Sequence, residues 1–139
     1  MSYGASVALQ AAIYQHLRAD ASLNLLVGDA IFDAMPVDAP SGVFVSLGAE
    51  EVRDASDATA RGSRHDFVVS VMAGTDGGAG FGAIKAAAVA VTDALEQGSL
   101  ELSRGRLAGI WFLRATARRM KSGSARQVDL TFRARIDLG

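Results

Sequence analysis

Apolar and polar positions alternate without a break along residues 126–138. Val128, Leu130, Phe132, Ala134, Ile136 and Leu138 fall on one side; Gln127, Asp129, Thr131, Arg133, Arg135 and Asp137 fall on the other. Successive strand side chains point to opposite faces, so this pattern predicts a strand with one oily and one fully polar face. Residues 107–121 carry further β-formers, Ile110, Trp111, Phe112, Leu113 and Thr116, and predict its partner strand. Lys121-Ser122-Gly123-Ser124 supplies the turn that closes the two into one long hairpin. A sheet built on it needs a cover on its apolar face only.

The rest of the chain supplies candidates for that cover. Over residues 5–19, Ala5, Ala8, Leu9, Ala12, Ile13 and Leu17 recur at helical spacing, with Gln10, Gln15 and Arg18 off the stripe, predicting an amphipathic helix. Asp20 or Ser22 caps a second short helix over 23–27, ended by Gly28. Ile31-Phe32-Asp33 reads as a short strand, and residues 35–42, with both prolines, as a loop. Residues 43–47 form a strand. Residues 50–62, EEVRDASDATARG, break the pattern, as either a loop or the extended tip of a hairpin. Strand character returns over 64–73, with Phe67, Val69 and Val71 on one side and Val68 and Met72 on the other, a sign of cover on both faces. After the glycine-rich residues 74–80, a helix runs over 81–97. Its seam is Phe81, Ile84, Ala88, Val91 and Leu95, and Gly98 ends it. Ala83, Ala86, Ala87, Ala90 and Ala94 leave the rest of this helix thin enough for close approach. Leu100 and Leu102 suggest a further short strand. The order α, α, β, β, β, α, β, β, β predicts an α+β two-layer sandwich, mainly antiparallel, with two main helices on one face. Residues 1–139 read as a single domain.

Composition changes this picture mainly through charge. The 139 residues are 50% hydrophobic and 21% charged, which is globular and enough to bury a core. There are no cysteines, which excludes a disulfide framework and a thiolate site. Neither a signal peptide nor a membrane-spanning run is expected. The net charge of −1 hides an asymmetry: residues 1–98 hold 5 Lys and Arg against 12 Asp and Glu, a balance of −7, and residues 99–139 hold 9 against 3, a balance of +6. A basic hairpin on an acidic remainder suits an acidic partner, nucleic acid, or a second copy docked head to tail.

Candidate chemistry is sparse. Gly78-Ala79-Gly80-Phe81-Gly82-Ala83, with Glu101 beyond, approaches the dinucleotide fingerprint, but that motif belongs to a parallel βαβ unit with a tight first turn. His16 and His65 lie on separate elements without a metal-ligand pattern, and packing or surface roles fit them. Glu50, Glu51, Asp54 and Asp57 do not match a calcium loop and read as a solvated acidic loop. No nucleophile elbow is present, so no catalytic residue, cofactor or metal is expected. Arg114, Arg118, Arg119, Lys121 and Arg126 gather around the terminal turn, and Arg61 and Arg64 flank the other loop. Without interleaved aromatics they suit sequence-independent phosphate contact.

Taken together, ALQAAIYQHLRADASLNLLVGDAIFDAMP, then GVFVSLG, the acidic loop, HDFVVSVMAG and the terminal LTFRARI resemble the tail terminator, or tail-to-head joining, proteins of long-tailed bacteriophages, in particular the gene transfer agent version. The likeness spans nearly the whole chain. It implies a structural protein, not an enzyme, with a small α+β fold. It implies a homo-hexameric ring that caps the tail tube, ends its growth and joins it to the head–tail connector or stopper protein, with DNA passing through. It places the chain in the bacterial cytoplasm during assembly and then in the neck of a released phage-like particle, without a membrane. The subunit or partner contacts expected for that role use Glu50, Glu51, Asp54, Asp57, Arg61, Arg64, Arg114, Arg118, Arg119, Lys121, Arg126, Arg133 and Arg135.

Overall fold

A computed structural model describes residues 3–38, 40–73, 81–97, 99–119 and 126–139. Three helices, α1 (Ala5–Ala19), α2 (Ala21–Val27) and α3 (Phe81–Gln97), pack on one sheet of five strands: β1 (Ile31–Phe32), β2 (Val43–Asp54), β3 (Gly62–Ala73), β4 (Arg106–Arg119) and β5 (Arg126–Asp137). The sheet order is β1-β2-β3-β5-β4. This is the expected α+β sandwich. The predicted turn at 121–124 and the glycine segment 74–80 lie outside the described residues, as does the Gly98 cap.

The terminal alternation does what its pattern predicts. Val128, Leu130, Phe132, Ala134 and Ile136 are buried, and β5 sits centrally between β3 and β4. Phe132 stacks on Phe67 at 5.5 Å and meets the edge of Phe112 at 5.8 Å. The cover is Leu9, Ile13 and Leu17 of α1, Leu23 of α2, and Ile84, Val91 and Leu95 of α3. Each such side chain contributes roughly 1.5–3 kcal/mol by leaving water. The thin alanine side of α3 is used within the chain: Ala87, Ala90 and Ala94 are buried, and His16 Nε2 of α1 lies 2.8 Å from the carbonyl oxygen of Ala94. Asp20 is the residue that caps α2, its carboxylate accepting from the Leu23 amide at 2.9 Å. Gly28 then ends the helix at φ 63°, a conformation that costs glycine little.

Several local expectations change. The segment 50–62 is a hairpin: β2 continues to Asp54 and β3 starts at Gly62, with a bulge between Leu47 and Glu50. β1 is only two residues long and pairs parallel to β2. The strand expected at Leu100 and Leu102 does not form. Both leucines pack against the core from irregular backbone. Among the described residues there are thus five strands, one fewer than expected. Since β3 and β4 are each antiparallel to the β5 between them, β3–α3–β4 is a crossover joining two parallel, non-adjacent strands. On the outer face Phe44 and Met72 are buried beside each other in register, with Phe32 edge-on to Phe44 at 6.2 Å. Cover on both sides at this end of the sheet is therefore real.

Candidate functional site

The bulge after Leu47 turns Glu50 toward the helix side, where it is no longer part of a solvated loop. The Ser6 hydroxyl of α1 donates to Glu50 Oε1 at 2.5 Å. His65 Nδ1 lies 3.2 Å from Glu50 Oε2, and His65 Nε2 lies 2.8 Å from Ser63 Oγ. Ser, His and Glu therefore stand in the order of a hydrolytic triad. A nucleophile must reach a substrate, however, and Ser63 and His65 are both 0% exposed. The cluster satisfies buried polar groups and ties α1 to the hairpin. These partners are 15 and 44 residues apart in the chain, so no local motif announces them.

Register places the other charged side chains on the sheet face away from the helices. Arg118, Gln127 and Met72 form one cross-strand row; Thr116, Asp129 and Ser70 the next; Trp111, Arg133, Asp66 and Glu51 another; Gly109, Arg135, Arg64 and Arg53 the last but one before Arg106 and Asp137. Arg133 donates to both Asp66 oxygens at 2.8 and 3.1 Å. That fork, the largest influence, holds the Asp66 carboxyl below its ordinary value and raises Arg133. Asp129 accepts from Ser70 at 2.7 Å and Gln127 at 2.6 Å, with Arg118 3.4 Å away. Asp137 sits between Arg106 and Arg135 at 2.5 and 3.6 Å, and Arg53 donates to Glu51 at 2.6 Å. Seven arginines thus face four carboxylates, an excess of three positive charges on this face. Arg64 Nε is enclosed with no hydrogen-bond partner among the described residues. The Trp111 ring lies across Gly109, where a Cβ would come within 2.7 Å of it and push the ring aside.

The predicted contact residues are therefore spread over four places. Glu51, Arg64, Arg114, Arg118, Arg133 and Arg135 share the outer face. Asp54, Asp57 and Arg61 are at the hairpin tip. There the Ser56 hydroxyl holds Asp54, and the Thr59 and Ala60 amides hold Asp57, as low-pKa carboxylates, while Arg61 pairs its backbone with 138–139. Arg119 and Arg126 lie on the α3 side, the Arg126 guanidinium 5.5 Å over the Phe81 ring. Glu50 joins the Ser6–His65 cluster with a side chain that is 20% accessible, and Lys121 lies outside the described residues. Missed from sequence were Ser6 and Ser63, and the groove between α3 and β4; His65, expected to pack or lie on the surface, packs. That groove, of about 540 Å³, has Ala88, Val89, Phe112, Ala115, Val128 and Leu130 among its walls.

The family model for tail completion protein gp17 matches residues 11–137. The chain belongs to the tail completion protein gp17 family. A solved structure described as the virion of a native gene transfer agent (GTA) particle contains a chain 55% identical to this one. The two superpose with a TM-score of 0.87 over 98% of this chain and 99% of that one. Among curated proteins, none matches the chain.

The expected resemblance to a gene transfer agent tail protein is thus met, and this tail completion chain is a structural tail protein from a family of virion components, not of enzymes. The other reading of the glycine motif, a small ligand- or nucleotide-binding α+β domain using residues 78–83, meets a geometric obstacle if its acidic partner is Glu101. Gly82 opens α3, whereas Glu101 follows its far end and lines a cavity with Ala8, Ala12 and His16. At 1.5 Å per residue the helix alone separates the two by roughly 20 Å. A ribose held by Glu101 could not also place its phosphates at Gly82. Among the described residues, no three His, Cys, Asp or Glu group to hold a metal, and no helix is long and apolar enough to cross a membrane.

Proposed function

We propose that six copies of this chain, each acting as one domain over residues 1–139, close into a ring that caps the tail tube. The ring ends tube growth and joins the tail to the head–tail connector or stopper protein, and DNA passes through its lumen without sequence recognition. Assembly takes place in the bacterial cytoplasm, and the ring then travels in the neck of the released particle. The observation that carries this reading is the near-complete, 55% identical correspondence with a chain of the gene transfer agent virion.

The chain's physics supports it. One sheet face is buried beneath helices, so each copy folds around its own core. Beyond the covered Phe44–Met72 end, the other face is mostly polar and carries a net excess of arginine, the kind of surface a hydrated lumen or a docking partner needs. The acidic first part and basic last part of the chain suit a closed head-to-tail contact. On this reading Glu51, Asp54, Asp57, Arg61, Arg64, Arg114, Arg118, Arg119, Lys121, Arg126, Arg133 and Arg135 contact neighbours, while Glu50 acts through the stability of the hairpin. Light scattering on the purified protein, alone and with tail-tube protein, tests it. A mass of six chains is expected; a strictly monomeric species in both conditions refutes it.

A further inference from the structure

The groove between α3 and β4 is unusual for a core-facing surface. β4 is an edge strand whose residues 111–119 are all exposed, including the side that faces α3. Two causes are visible. Bulges between Leu107 and Gly109 and between Phe112 and Arg114 bend the edge, and Ala115 and Ala117 are too short to reach the helix. Val89 is 57% and Phe112 40% exposed on the two walls. Lys85, Val89, Thr92 and Glu96 form one stripe of α3 along it. Lys85 and Arg126 both lie against Phe81 at the start of α3, and Arg119 is opposite Arg126 on the same face. That end of the groove is basic, with Glu96 toward the other end.

A complementary feature stands at the opposite edge of the sheet. β1 is the other edge strand, and residues 33–38 follow it directly. Met35 is 59% exposed and Val37 fully so, on either side of Pro36, whose ring fixes its backbone angle. Asp33 and Asp38 flank them. Two exposed apolar side chains between aspartates match an apolar groove with a basic end.

We propose that the α3–β4 groove of one copy receives Met35 and Val37 of a second copy. The contact is heterologous, since knob and groove lie on different surfaces at opposite edges of one sheet, and such contacts propagate into rings or filaments. This rests on the ring reading above and identifies the surfaces that would form it. An apolar floor is a poor seat for nucleic acid, and the acidic flanks are what a basic groove end selects.

Val89→Asp spoils the groove and Val37→Asp spoils the knob; both sites are exposed, so circular dichroism should be unchanged. In light scattering, with tail-tube protein where the wild type needs it, each variant alone should fall to the mass of one chain. Mixed in equal amounts they should form a 1:1 heterodimer, because each retains the half that the other lacks. Wild-type-sized assemblies from either variant, or a mixture that stays monomeric, overturn the proposal and leave the ring reading standing. If Val89→Asp assembles normally but no longer joins the tail tube, the groove belongs to that partner and the proposal is also wrong. A wild type monomeric under all conditions defeats both.

Discussion

Replacing His65 with alanine tests whether the buried Ser6–Glu50–His65–Ser63 cluster holds the fold. The imidazole is wholly enclosed and approaches two polar partners at 2.8 and 3.2 Å. Its removal leaves the Ser63 hydroxyl buried with no other hydrogen bond shown, a cost of about 1–3 kcal/mol. Glu50 is less exposed to harm, since its side chain is 20% accessible and still accepts from Ser6. The void adds a further penalty of about 2 kcal/mol, at the low end for a large buried side chain cut to alanine. The sum, about 3–5 kcal/mol, is a large part of the roughly 5–15 kcal/mol that holds a domain together. The expected fall in Tm is about 10–15 °C. Urea denaturation followed by circular dichroism measures the free energy, and a thermal melt the Tm. Adding Ser63→Ala to the same chain should recover about 1 kcal/mol, because no buried hydroxyl is then left without a partner. A loss below about 1 kcal/mol for His65→Ala, or strict additivity in the double variant, would refute the reasoning.

Other expectations follow from the remaining geometry. Asp66→Asn should cost roughly 0.5–1 kcal/mol at neutral pH. Because the Asp66 carboxyl is held below its ordinary 3.8, the stability it supplies is fully present above that value. It is lost as pH falls through the lowered one, so an acid titration of unfolding should be flatter in the variant; identical acid limbs would contradict the pairing. Val91→Asp should prevent folding, since Val91 is 0% exposed in the helix–sheet core and an uncompensated buried charge costs about 3–5 kcal/mol; a soluble variant with native near-ultraviolet dichroism would contradict it. Arg118→Glu with Arg119→Glu, both exposed on β4, should leave the monomer folded and impair ring assembly or docking, as read by particle yield and microscopy. Normal particles from that variant would remove the assigned role.

The elements that were legible from sequence are those whose stabilising contacts are periodic. The seam Ile84, Ala88, Val91 and Leu95 and the stripe Leu9, Ile13 and Leu17 each commit a helix to the sheet, and both helices have the expected bounds. Likewise the alternation of Val128 to Ile136 anticipates a central strand buried on one side. The β2–β3 hairpin was harder, because Glu51, Arg53, Asp54 and Arg64 give its tip no apolar alternation. What makes it a strand is backbone pairing with its neighbours, which sets Asp66 opposite Arg133. Leu100 and Leu102 misled for the reverse reason, since their strand-like spacing serves to pack both side chains against the core from irregular backbone. The buried cluster was hidden because α1 and two strands each contribute a part, and because a bulge, invisible in a pattern of two, turns Glu50 inward.

That this chain works by assembling with copies of itself is tested most directly by imaging the neck of the intact particle at side-chain detail. A closed ring of this chain between tail tube and connector is expected, with the buried faces of α1 and α3 kept within each copy. A single copy at that position, or copies scattered elsewhere on the particle, would contradict it.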